Sequence, residues 1–235
     1  MTDISITKKN DVYIKVKCEP DIAQELHSHF SFDVPGAKFT PMYRNRVWDG
    51  QLHLFSLFTK EIYTGLRPYV KHFAEVNQYT YDESDFTKTA DKVSIEQLKS
   101  FINDLNINLK IREYQIEAVH EAINDGRRLL LSPTGSGKSL IIYILIRWHQ
   151  QFGRKQLIVV PTTSLVEQLF SDFQDYAKQD TWKASYNCYR IYGTVSKTND
   201  MPVTISTWQS IHRLPKKFFT EFKTIYGDEC HLFKA

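Results

Sequence analysis

Two short stretches carry residue types whose spacing could act on a phosphate. Ser132-Pro133-Thr134-Gly135-Ser136-Gly137-Lys138-Ser139 places two glycines, a lysine and a terminal hydroxyl within eight residues. Glycines let successive backbone N–H groups turn inward around an anion, where a Cβ would obstruct the loop. A helix opening at the end of the loop adds its dipole. Lys138 can then reach the β- and γ-phosphates of ATP, and the Ser139 hydroxyl can ligate magnesium. Thr134, Gly135, Ser136, Gly137, Lys138 and Ser139 are therefore candidate nucleotide-binding residues. The general pattern begins with glycine, and here that position is Ser132. The second stretch is Asp228-Glu229-Cys230-His231. An aspartate at a strand end can hold magnesium, usually through water, opposite such a loop. A neighbouring glutamate can orient and deprotonate an attacking water. Lys138, Asp228 and Glu229 are the candidate catalytic residues, and Ser139 and Asp228 the candidate metal ligands. Each stretch alone has a plainer reading, as a glycine-rich turn with an incidental lysine or as a solvated acidic pair.

The elements around these residues separate the readings. Arg128–Leu131 is predicted as a strand leading into the loop, and 138–152 as the helix leaving it. Gln156–Val160 reads as a strand followed by a helix over Leu165–Ala177. Further apolar runs at Tyr189–Tyr192, Val203–Ser206 and Thr224–Tyr226 read as buried strands. Such alternation predicts an α/β fold whose mostly parallel sheet is covered on both faces. Ligands in these folds collect at the carboxyl ends of the strands, where both stretches fall. Upstream, Ser94 with Gln97 predicts a capping box for a helix burying Leu98, Phe101, Ile102 and Leu105. A second helix is expected from Arg112 to Asp125, stopped by Gly126.

Before these helices the texture differs. The segment YDESDFTKTADK, Tyr81–Lys92, is polar and poor in large aliphatic residues, which predicts a linker. The residues ahead of it alternate at Val12–Val16 and Leu52–Phe55 and show helical spacing at Ile22, Leu26 and Phe30, the pattern of a small α/β unit. The expected organisation is a small α/β domain over residues 1–81, a linker over 82–93 and a larger domain over 94–235.

Composition narrows the function classes. Of 235 residues, 42% are hydrophobic and 24% charged, ordinary for a globular chain, and the net charge is only +3. Three scattered cysteines without a CxxC pair argue against a disulfide framework or a cysteine-rich zinc site, and the histidines show no HExxH spacing. The polar start has no apolar signal region. The apolar run Leu140–Ile146 is too short to span a bilayer. A cytosolic, reducing location with no membrane partner is expected.

Taken in order, SPTGSGKS, VVPTTSLVEQ (Val159–Gln168), TISTWQS (Thr204–Ser210) and DECH resemble the first motor domain of superfamily 2 helicases. The resemblance covers about residues 108–235. It implies a RecA-like P-loop domain that hydrolyses ATP with Mg2+. Upstream, Leu109-Lys110-Ile111-Arg112-Glu113-Tyr114-Gln115 resembles the LRxYQ element of the subgroup related to XPB and to type I restriction motors. In that family the glutamine reads the adenine edge, which implies Gln115, with Arg112 and Tyr114 near the base. Pro161 and Thr162 match one strand-contacting motif, and Thr207 and Gln209 a later one. The family uses these on the phosphate backbone with little regard to base. Thr163 or Ser164 could equally serve as a helix cap. His231 falls in the position that couples the two activities. These flanking elements weigh against a P-loop kinase or transporter ATPase. Over its whole length the chain resembles the recombination helicases of T-even phages. That resemblance implies action on branched or duplex DNA and RNA–DNA hybrids, in the host cytoplasm.

The amino-terminal piece adds a charged, aromatic stretch. Residues 38–72 hold six basic residues, including Arg44 and Arg46, against Asp49 and Glu61, a local net charge of +4 with histidines neutral. Phe39, Tyr43, Trp48, Tyr63 and Tyr69 are interleaved, so phosphate neutralisation and base stacking are both available. Alternatively the aromatics are the core of a small sheet. The sequence runs four residues past DECH, so a second RecA-like domain with its arginine is expected to lie outside the chain. Such an arginine contributes rate factors on the order of 10³ or more. The chain is therefore expected to behave as an amino-terminal part that binds nucleotide without turning it over fast. The alternative, in a different class, is a non-catalytic nucleic-acid-binding module.

Overall fold

Alternating strand residues in the first part of the chain build one small sheet, and continuous apolar strands in the second part build another. The computed structural model describes residues 2–86 and 92–233. The chain divides into two units, Met1–Asp91 and Lys92–Ala235.

The first unit runs β1 (Ile4–Lys8), β2 (Tyr13–Lys17), α1 (Pro20–His29), β3 (Ser31–Asp33), α2 (Pro41–Arg44), β4 (Gln51–His53), β5 (Phe55–Ser56), β6 (Glu61–Tyr63), α3 (Arg67–Val76) and β7 (Tyr81–Asp82). Its five-stranded sheet has the order β5-β6-β2-β1-β7. Asn10 makes the β1–β2 turn, its side-chain oxygen accepting from the N–H groups of Val12 and Tyr13 at 2.8 Å each. Ile4, Ile6, Ile14, Val16 and Ile62 point to one face, where Ile22, Ala23 and Leu26 of α1 and Val70, Phe73 and Ala74 of α3 cover them. Both helices begin with proline in the first turn, where its missing N–H costs nothing. β3 and β4 form a separate two-stranded ribbon. Residues 34–50 leave and rejoin it, exposing Phe39 (68%), Met42 (56%) and Val47 (73%).

The segment expected as a linker is structured at its described ends. Tyr81–Asp82 pairs in parallel with β1, and Phe86 packs against the first unit's core with Arg67 over its ring. At the other end Val93 exchanges hydrogen bonds with Asn124 at 2.8 and 3.0 Å. A polar composition reads as a linker only until a strand partner is found for it. The remainder of that stretch, 87–91, lies outside the described residues.

The second unit runs α4 (Ile95–Asp104), α5 (Glu113–Asp125), α6 (Lys138–Gln150), β8 (Gln156–Val160), α7 (Thr163–Tyr176), α8 (Ala184–Asn187), β9 (Cys188–Ile191), β10 (Val203–Thr207), α9 (Trp208–Ile211), α10 (Lys216–Thr220) and β11 (Thr224–Gly227). The sheet, ordered β11-β8-β10-β9, is parallel throughout. β8 and β10 are buried at every residue, which is why their sequences lack alternation. Ile158, Val160 and Ile205 join the core made with α4–α7 on one face. Leu157 and Val159 join Ile211 and Phe222 on the other. Ser94 and Gln97 form the expected capping box on α4, and Gly126 ends α5 at φ +67°.

One predicted strand is not formed. Residues 127–133 adopt neither helix nor strand, and Leu129 and Leu131 are 68% and 90% exposed. An extended segment becomes a strand only by hydrogen bonding to a neighbour, and no strand among the described residues pairs with it. The outer edge of β11 is similarly open: it pairs with β8 alone, and Ile225 is 56% exposed.

Candidate functional site

The loop after residue 131 turns through Gly135 (φ +79°) and Gly137 (φ +80°), both in the left-handed region that favours glycine. Gly137 caps α6, whose first residue is Lys138. The interior of the loop is tied down from α5. Tyr114 Oη and Gln115 Nε2 both donate to the Ser136 carbonyl, at 2.6 and 2.9 Å. Gln115 Oε1 accepts from the Arg112 N–H at 2.9 Å, and the Arg112 guanidinium donates to Tyr114 Oη at 3.3 Å. Arg112, Tyr114 and Gln115 therefore meet the phosphate loop. With both ends of its amide engaged, Gln115 is buried against the loop, and the role implied for it on an adenine edge would use its second N–H.

Facing the loop is the end of β11. The Asp228 N–H donates to the Val159 carbonyl at 3.0 Å, which fixes the turn above the neighbouring strand. Glu229 sits at φ +49°, an uncommon conformation for a residue with a Cβ. Its carboxylate lies 3.1 Å from the Lys138 ammonium and 3.5 Å from His231 Nδ1. Lys138 also donates to the Ser132 carbonyl at 3.4 Å. Burial and the adjacent Glu229 push the Asp228 carboxyl above its ordinary value, while Lys138 pulls it back. Two carboxylates and an ammonium thus face a hydroxyl-bearing, glycine-lined loop. That donor set suits a polyphosphate with a hard divalent cation, which takes oxygen ligands and keeps several waters. Among the described residues no group of three or more His, Cys, Asp or Glu could cage a metal alone.

The Ser139 hydroxyl points to α7, where Tyr176 Oη lies 2.8 Å away. Asp172 lies one turn earlier on α7; burial raises its carboxyl, and the nearby Ser139 hydroxyl draws it back. Sequence reading missed both residues. Their i, i+4 spacing is ordinary helix surface, and only the packing of α7 beside α6 brings them to Ser139.

The residues assigned to nucleic acid fall into two groups. Pro161 and Thr162 leave the end of β8, and Thr207 and Gln209 leave the adjacent β10, whose Thr207 is in register with Val160. Thr162 is exposed and caps α7, its hydroxyl accepting from the Leu165 N–H at 3.3 Å. The cap is therefore Thr162 itself, one residue before Thr163. Thr207 is 4% exposed, with its hydroxyl 2.8 Å from that of Ser210, whereas Gln209 is exposed. Arg44 and Arg46 are exposed on the excursion of the first unit.

Comparison with known proteins decides the family. Residues 108–235 match the family described as "Type III restriction enzyme, res subunit", and residues 3–82 match "DNA helicase UvsW, N-terminal". The chain belongs to the superfamily 2 helicases. It is 32% identical over 240 aligned positions to the ATP-dependent DNA helicase UvsW of Enterobacteria phage T4, covering 98% of this chain and 47% of that protein. A crystal structure of the phage T4 UvsW helicase superposes with a TM-score of 0.84 at 31% identity, covering 99% of this chain and 84% of that one. The DNA 3'-5' translocase XPB2 of Sulfurisphaera tokodaii is 24% identical over 189 positions, 78% of this chain and 36% of that protein. The chain spans about half the length of its UvsW relative, or less for the other. For a helicase of this family the Lys138–Glu229 pair has a direct consequence. An anion entering the loop must compete with Glu229 for the Lys138 ammonium.

Proposed function

We propose that the chain forms the amino-terminal part of an ATP-dependent DNA helicase that acts on branched DNA or RNA–DNA hybrids in recombination, replication and repair. The observation that carries this reading is the 3.1 Å approach of Lys138 to Glu229, which joins the phosphate loop and the acidic turn in one site. In this reading residues 94–235 are the first motor domain and residues 1–81 an accessory domain that binds nucleic acid through Arg44 and Arg46. Lys138 and the loop N–H groups hold the β- and γ-phosphates of ATP. Ser139 and Asp228 hold Mg2+, which when bound neutralises charge on the transferring phosphoryl group. Glu229 accepts the proton of the attacking water. Pro161, Thr162, Thr207 and Gln209 rest on the backbone of the bound strand, which suits their convergence at two neighbouring strand ends. His231, whose Nδ1 lies 3.5 Å from Glu229, reports strand binding to that carboxylate in this reading. The setting is the cytoplasm of a phage-infected cell; no helix among the described residues is long and apolar enough to cross a membrane.

The test is the ATPase of the whole protein with single-stranded, duplex, forked and hybrid nucleic acids. Stimulation by forked DNA or hybrid over single strands is expected, and indifference to all four defeats the proposal. The exposed Phe39, Met42 and Val47 beside Arg44 and Arg46 favour one second reading, in which the chain by itself is a binding module without turnover. Branched-DNA affinity without ATP hydrolysis by the 235-residue chain supports it.

A further inference from the structure

The hydroxyl expected to ligate the metal has a partner that no strand–helix motif supplies. Ser139 Oγ carries one proton and two lone pairs. As a neutral ligand it must offer a lone pair to the cation, so its proton has to be taken up elsewhere. A group on α7 meets it, Tyr176 Oη at 2.8 Å. Its placement is rigid. The Tyr176 ring lies 5.5 Å from that of Tyr143, a fully buried residue of α6 that also packs against the rings of Phe173 and Trp182 at 5.6 Å each. A residue needed only to fill this aromatic cluster would not require a hydroxyl, and Tyr176 aims its hydroxyl at Ser139.

We propose that Tyr176 is a positioning residue for the divalent cation: it keeps the Ser139 proton on the α7 side and leaves a lone pair of Oγ for the metal. The proposal rests on the reading of Ser139 as a metal ligand in a nucleotide site. Partners of a ligand fix its orientation and raise its basicity, and losing one costs about 10- to 100-fold in metal affinity.

The test uses the full 235-residue chain with ADP and Mn2+, following loss of the free Mn2+ signal by electron paramagnetic resonance. Ser139→Ala is expected to raise the Mn2+ midpoint. Tyr176→Phe should raise it about 10-fold, with ADP affinity in the absence of metal unchanged. A purely structural role would move both readouts together. If Ser139→Ala shifts the midpoint while Tyr176→Phe stays within about twofold of the parent, well short of that cost, the proposal falls and the nucleotide site stands. If the parent chain shows no ADP-dependent Mn2+ binding, the site reading and the proposal fall together. Should Tyr176→Phe fail to fold, Tyr176→Trp decides instead, because its ring fills the aromatic cluster and its N–H cannot accept the Ser139 proton.

Discussion

Gly137→Ala tests whether α5 truly holds the phosphate loop. Gly135 and Gly137 have nearly the same backbone conformation, φ +79° and +80°, so an alanine at either carries a similar left-handed penalty of about 1–2 kcal/mol. Their surroundings differ. A Cβ at Gly135 meets nothing within 4 Å, whereas a Cβ at Gly137 lies 2.4 Å from Gln115 Nε2. The amide is the end of a flexible side chain and can move, but moving forfeits its bonds to the Ser136 carbonyl and the Arg112 N–H, each 2.9 Å long. Buried hydrogen bonds contribute about 1 kcal/mol net apiece, so Gly137→Ala should cost about 1–2 kcal/mol more than Gly135→Ala. The gap should appear as a melting temperature lower by roughly 2–8 °C. Urea and thermal unfolding followed by tryptophan fluorescence measure it, since Trp148, Trp182 and Trp208 all lie in the second unit.

A double-mutant cycle isolates the cause. In a Gln115→Ala background there is no amide to displace, and the two glycine variants should become equally stable. Equal costs with Gln115 present would refute the argument. So would a gap that survives its removal, because then the loop backbone and not the α5 amide makes the difference.

Three further outcomes follow from the same geometry. Lys138→Ala should abolish ATP hydrolysis by the whole protein while leaving the DNA affinity of the first unit intact; a parallel loss of both would tie Lys138 to strand binding. Replacing Arg44 and Arg46 by glutamate should weaken forked-DNA binding and flatten its salt dependence by about 0.9 in log–log slope per lost phosphate contact, read by fluorescence anisotropy across a salt series; an unchanged slope would remove these residues from the interface. Asp228 has its carboxyl raised above the ordinary 3.8 by burial and by Glu229. Its protonated form therefore stabilises the fold, fully below pH 3.8, and this stabilisation is lost as pH rises through the raised value. Asp228→Asn, which stays neutral, should melt higher than the parent at neutral pH and lose that advantage in acid. A variant that melts lower at pH 7 would contradict the assigned cause.

How much of this was legible depended on how far apart in sequence the interacting groups lie. The capping box at Ser94 and Gln97, the stop at Gly126 and the loop glycines are local events, decided within a few residues, and the structure places them as read. The parallel sheet was legible because burial on both faces removes alternation from Gln156–Val160 and Val203–Thr207. Two misplacements concern partners far off in the chain, and a third is local. Tyr81–Asp82 looked like a linker because nothing nearby says that β1 will pair with it. Arg128–Leu131 looked like a buried strand because composition reports an appetite for burial without supplying the neighbour that would satisfy it. The helix cap fell on Thr162 because the backbone there stays extended, at ψ 157°, for one residue fewer than the apolar pattern suggested.

The same distinction bears on what the site can do. The phosphate loop is built from one continuous segment and a clamp from α5, so its shape is specified within residues 112–139. The acidic turn is different: Asp228 is held by Val159 and Glu229 by Lys138, contacts that cross the sheet. Strand-end groups such as Thr162 and Gln209 ride on β8 and β10, the strands that flank the register of that turn or pair with its neighbour. A change in how β8 sits against β11 would therefore move the Glu229 carboxylate relative to a loop that need not change at all. Coupling between strand contact and hydrolysis, if it runs through this unit, is thus expected to act on Glu229 and its hold on Lys138 before it acts on the nucleotide cradle. Gln209→Ala in the whole protein should accordingly reduce DNA stimulation of the ATPase while leaving nucleotide affinity unchanged, and a loss of nucleotide affinity would place the coupling in the loop instead.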